Sequence, residues 1–175
     1  MQSTMPKKRW PVHANALNPM IIENSTDEIN AAFPPQEMPE KADILFYENY
    51  SLEKESLLED IEEFRGKNPN ADLIRLIHQE LSYLSAKFWR WVLPTYMKFC
   101  LSPDGKYSSM ETQFLIFNLN PRLEFQAKTR KRLSALSAPQ IECVIQFLEL
   151  LSIDEFWQAQ CPDEISGAIK FLKNL

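Results

Sequence analysis

Between residues 86 and 101 the chain offers almost nothing to water. In Ala86-Lys-Phe-Trp-Arg-Trp-Val-Leu-Pro-Thr-Tyr-Met-Lys-Phe-Cys-Leu101, the positions Lys87, Arg90, Pro94 and Lys98 fall at spacings of three, four and four. On a helix those spacings trace one narrow polar stripe, so the segment is expected to be buried around most of its circumference. Such a helix cannot lie on the outside of a fold, and other elements have to surround it. Pro94 sits on the stripe, where the Arg90 carbonyl that loses its donor stays within reach of water. A kink there, convex side outward, is expected to wrap the helix over the core.

The surrounding elements announce themselves by start and stop signals. Ser25-Thr-Asp-Glu28 reads as a capping box opening a short helix that ends at Phe33, before Pro34 and Pro35. Ser51 caps a helix with Leu57, Leu58, Ile61 and Phe64 on one face, and Gly66 closes it. Asn70 starts another, with Leu73, Ile74, Ile77, Leu81 and Leu84 on one face. Pro103-Asp-Gly105 reads as a turn and Ser108-Ser-Met-Glu111 as a second capping box. Residues 121–135 are polar, basic and read as helical. Ser137-Ala-Pro-Gln140 opens a helix that buries Ile141, Val144, Ile145, Leu148 and Leu151, and a last helix is expected over residues 163–172.

No run of β-branched alternation competes with these signals. The expectation is therefore all-α: a single compact domain of about six or seven helices, residues 23–175, around the aromatic helix kinked at Pro94. Residues 1–22 precede it as a loosely ordered extension, with prolines at 6, 11 and 19 and no helical or strand period.

Composition narrows the chemistry. The 175 residues contain three glycines, Gly66, Gly105 and Gly167, never close together. Phosphate loops and the dinucleotide fingerprint need clustered glycines for close backbone approach, so both are excluded. Three widely spaced cysteines, Cys100, Cys143 and Cys161, suit neither a disulfide framework nor a zinc site. With no leader pattern and no apolar run of spanning length, a reduced, cytoplasmic location is expected. His78-Gln-Glu80 has the deaminase order of histidine and glutamate but lacks the following Pro-Cys-x-x-Cys that completes the zinc site. Neither a cofactor nor a metal is implied.

Charge is more informative. Within the net charge of −5 lie blocks of −10 over residues 23–85, +6 over 86–132 and −4 over 133–175, the remaining +3 coming from Lys7, Lys8 and Arg9. The opposite blocks either face each other within the fold or leave a basic patch exposed. Lys128, Arg130, Lys131 and Arg132 crowd the basic block. The sequence pI of about 5.2 and the absence of interleaved stacking aromatics argue against nucleic acid.

Several segments together resemble a known family. They are Ala32-Phe33, Leu81-Ser-Tyr-Leu84-Ser85, Phe88, Leu93-Pro94, Tyr96-Met97, Ser137-x-x-Gln140 and Phe147-Leu148. Their pattern is similar to that of a family of small bacterial proteins known only as a domain of unknown function. The Leu-Pro-x-Tyr-Met segment after an aromatic is its most specific piece. The resemblance spans about residues 25 to 172, implies a compact helical domain and brings no catalytic residue.

These observations favour a non-enzymatic protein-interaction module, a small regulatory or immunity-type protein whose partner is another protein met by the basic run. The alternative is an enzyme or small-molecule-binding protein with a pocket near Trp91 and Tyr96 and His78 as its titrating group. A second alternative is an anionic partner or nucleic acid held by residues 128–132.

Overall fold

The computed structural model describes residues 19–46 and 51–175. Helix α4 (Ala86–Leu101) runs through Pro94 without interruption and buries ten of its sixteen side chains, from Phe88 to Leu101. Ahead of it lie α1 (Pro19–Ala32), α2 (Leu52–Glu62) and α3 (Ala71–Ile77); after it come α5 (Pro103–Ser108), α6 (Met110–Leu119) and α7 (Gln126–Leu133). The chain ends in α8 (Ala138–Ser152), α9 (Glu155–Gln160) and α10 (Pro162–Leu172). Among the described residues there is no strand, and one isolated antiparallel bridge joins Leu45 to Leu84. Helices α1, α3, α5 and α7 pack on α4, while α8 and α10 pair with each other and contact α1 and α6 respectively. One continuous core results.

The start of α4 is fixed from three directions. Ser85 accepts from the Phe88 N–H at 3.1 Å as its N-cap, and its own hydroxyl donates to the Asp43 carbonyl. The Ser85 N–H donates to Ile44 O at 2.8 Å and the Phe46 N–H to Tyr83 O at 2.9 Å. Inside the core, Trp89 Nε1–H donates to Leu81 O at 3.0 Å and the Tyr96 hydroxyl donates to Glu111 O at 2.8 Å. The polar ends of both large rings are thereby satisfied, which lets the rings be buried without stranding a donor.

Most cap signals do what the residues suggest. Ser51 accepts from the Lys54 N–H, and Asn70 Oδ1 accepts from the Asp72 and Leu73 N–H groups. The capping box of Ser137 and Gln140 opens α8. Buried Gln140 also donates through Nε2 to Ala32 O at 3.2 Å, joining the start of α8 to the end of α1.

Three boundaries differ from expectation. Helix α1 begins at Pro19, so residues 19–22 belong to it and not to the extension, and Ser25-Thr-Asp-Glu28 lies mid-helix with Thr26 Oγ1 donating back to Ile22 O. The remainder of the extension, residues 1–18, lies outside the described residues. Helix α3 stops at Ile77, and Leu81 belongs to a separate 3-10 turn, Leu81–Tyr83. The expected turn at Pro103 is the first turn of α5, capped by Ser102, and Ser109 enters α6 with a left-handed φ of 56° and no side-chain cap. Gly105 is required in α5, because a Cβ there would meet the Phe99 and Cys100 backbone.

Because α4 stays helical through Pro94, the Arg90 carbonyl has no amide at position 94 to bond. Pro94→Ala supplies that donor and removes the clash of the ring with the preceding turn. It is expected to raise unfolding free energy by about 1–2 kcal/mol, less than the full helix-interior penalty because some packing of the ring is lost. Urea unfolding followed by circular dichroism reads this directly, and equal midpoints for the two proteins would contradict it.

Candidate functional site

The basic run occupies α7, whose buried face is Thr129, Arg132 and Leu133. Helical rotation therefore separates the four cations. Lys128, Arg130 and Lys131 are exposed. Arg130 donates to Asn174 O at 2.9 Å and lies over the Phe171 ring, while Lys131 Nζ lies over the Phe46 ring at 5.1 Å. Arg132 is turned inward, contrary to the expectation that it joins an exposed patch. Its guanidinium donates to Asn118 Oδ1 at 3.1 Å, to Thr129 Oγ1 at 2.8 Å and to Leu81 O at 3.4 Å, and it stacks over Trp89. Burial disfavours its charged form and lowers its pKa. Arg132 is thus a strut between α7 and α4.

Beside α7 the surface is apolar as well as basic. Leu123 is 83% exposed and Phe125 49% exposed, and both belong to the 3-10 turn Leu123–Phe125 that leads into α7. Phe117 near the end of α6 is also exposed. Two of the large charge blocks do meet, at the 2.7 Å pair of Lys87 with Asp43, but that contact lies at the start of α4 and not on α7.

The three residues expected to share a pocket do not meet. Positions 91 and 96 are five residues apart, about 140° around a helix, so the two side chains leave α4 in different directions. Tyr96 points into the core toward α6, where burial pushes its hydroxyl pKa far up. His78 sits at the end of α3, with Nδ1 2.7 Å from Arg75 O and its ring edge-on to Phe114. That carbonyl can only accept, so Nδ1 carries the proton.

Trp91 alone borders a cavity. A groove of about 390 Å³ runs along α4 between Trp91, Pro94, Arg90 and Lys98 on one side and Phe33, Pro34, Pro35 and Pro69 on the other. Asn30, Gln36, Asn68 and Thr95 complete its lining, which contains no acidic side chain. Three of the four positions of the narrow polar stripe, Arg90, Pro94 and Lys98, thus face this groove. The stripe is visible in the sequence, but its opposing wall is not, because it comes from two distant proline turns.

The three cysteines are packing residues. Cys100, Cys143 and Cys161 are free and buried. Desolvation by burial pushes the Cys100 thiol up to about 12 and the other two to about 11, the opposite of what thiolate chemistry needs. Asp154 caps α9 by accepting from the Phe156 and Trp157 N–H groups and pairs with Lys106 at 2.8 Å. No helix among the described residues is long and apolar enough to cross a membrane.

The geometry defines an all-helical domain that carries a basic–apolar surface on α7 and a cationic groove along α4. It belongs to the family of unknown function DUF6714, whose model matches residues 46–166, from the Leu45–Leu84 bridge region into α10. Ala32-Phe33 falls outside the matched span. No curated protein and no solved structure matches the chain.

The different roles of the cations on α7 are separable by stability. Arg132→Glu buries an unpaired charge against Trp89 and Leu81 O, and is expected to cost about 3 kcal/mol or more. Lys128→Glu, on the exposed face, is expected to change stability by no more than about 0.5 kcal/mol. Thermal or urea unfolding of the two variants decides it, and similar losses in both would contradict the inward placement of Arg132.

Proposed function

We propose that the protein is a non-enzymatic interaction module of the bacterial cytoplasm, of the regulatory or immunity type, that binds another protein through α7 and the turn before it. The observation that carries this reading is the conjunction of exposed Lys128, Arg130 and Lys131 with exposed Leu123 and Phe125 on adjoining segments. Large apolar side chains left in water beside cations supply what an interface needs: buried area from the former, orientation and fast encounter from the latter. The partner surface that fits is acidic with an apolar centre. Three buried thiols held protonated are compatible with a reducing compartment.

An enzymatic role finds less support. The groove beside Trp91 is lined by arginine, lysine, amides and prolines, with no carboxylate, histidine or thiol among its lining residues to move a proton. Nucleic acid is a weaker fit than protein, because the inward turn of Arg132 removes one cation from a run already short of stacking rings.

The test uses tagged protein to capture a partner from its host lysate, followed by association kinetics with the purified partner. Lys128→Glu with Arg130→Glu is expected to slow association about tenfold with helix content unchanged, the melting temperature falling slightly as Arg130 gives up Asn174 O and the Phe171 ring. Leu123→Ser is expected to speed dissociation instead. A partner held equally well by wild type and by all of these variants would overturn the reading.

A further inference from the structure

We propose that the groove along α4 is a second recognition site, and that its occupant is an extended acidic segment of a partner protein. The argument begins with charge. In a chain of net charge −5, this groove is lined by two cations and no acid. Arg90 has no hydrogen-bond or ion-pair partner among the described residues, and its Nε is buried without one. Lys98 donates only to a neutral amide, Asn30 Oδ1, at 2.8 Å. Both cations are therefore uncompensated in a groove partly walled by Phe33, Trp91 and prolines, where a carboxylate gains more than it would in open water.

Spacing then sets the form of the occupant. Arg90 and Lys98 are eight residues apart on one helix, a rise of about 12 Å. In an extended chain, side chains on one face recur every second residue, and four residues span about 13 Å. Acidic residues four apart thus meet both cations, and the residue midway between them, on the same face, lies over Pro94 and Trp91. The segment that fits reads acid–x–apolar–x–acid. The proline walls have no backbone N–H to offer, so the occupant's own amides must be met by side chains, and Asn30 and Asn68 present carboxamides that both donate and accept. None of these lining residues belongs to α7, and the site stands independently of the surface proposed above.

The probe is the peptide acetyl-Gly-Glu-Ser-Leu-Ser-Glu-Gly-amide, titrated into nitrogen-15-labelled full-length protein and followed by NMR. Saturable shifts are expected at the backbone amides of Arg90, Thr95 and Lys98 and at the side-chain amides of Asn30 and Asn68. Lys98→Gln, which alters a partly exposed side chain, is expected to weaken binding at least fivefold with an otherwise unchanged spectrum, and Arg90→Gln with Lys98→Gln at least twentyfold. Lys128→Glu with Arg130→Glu is expected to bind the peptide as wild type does. The proposal is overturned by the absence of shifts, by equal binding of the peptide with both glutamates replaced by glutamine, or by loss of binding in the α7 variant. It is also overturned if free glutarate produces the same shifts at the same concentration, which would make the site one for small anions.

Discussion

The burial of α4 is the constraint on which the rest of the molecule depends. A helix with ten buried side chains and one thin polar stripe has to be enclosed, and α1, α3, α5 and α7 enclose it. Apolar burial supplies the driving force, but the polar atoms carried inside decide how the enclosure is built. Trp89 needs an acceptor and finds Leu81 O, which fixes the 3-10 turn after α3. Tyr96 needs one and finds Glu111 O, which fixes α6. Arg132 closes the arrangement by stacking on Trp89 and sharing the Leu81 carbonyl, which brings α7 in.

Much of this was legible from the residues. The stripe of Lys87, Arg90, Pro94 and Lys98 identified the central helix, and Ser51, Asn70, Ser85 and Ser137 marked helix starts that the structure uses. Other features were hidden for physical reasons. Leu81 and Leu84 continue the apolar face of α3 on paper because a 3-10 turn eclipses side chains three apart, so its pattern mimics another helical turn. Ser25-Thr-Asp-Glu28 has the chemistry of a capping box, yet the chain is already helical when it arrives, and Thr26 bonds backward instead. The short helices α5 and α9 carry no long period to detect.

The site was less legible than the fold, and for a related reason. A run of four cations in five residues suggests one exposed patch, but α7 turns 100° per residue and one of them, Arg132, falls on its buried face. Trp91 and Tyr96 look like neighbours in sequence and diverge on the helix. The wall of the groove opposite Trp91 is built from Pro34, Pro35 and Pro69, which read only as helix breakers. The segments that carry the family resemblance turn out to be joints of the scaffold: Ala32 is bonded to Gln140, Leu81 to Trp89, and Ser85 caps α4. That explains why they imply a fold and no activity.

The central claim is that α4 is the last element to come apart. Native-state hydrogen exchange measures it most directly, residue by residue, because core amides open only by global unfolding while peripheral ones open locally. The amides of Val92, Leu93, Tyr96 and Met97 are predicted to exchange with the full free energy of global unfolding, and those of α1 and α9 with less. Exchange of the α4 amides through a smaller local opening, with α8 and α10 still protected, would contradict the account.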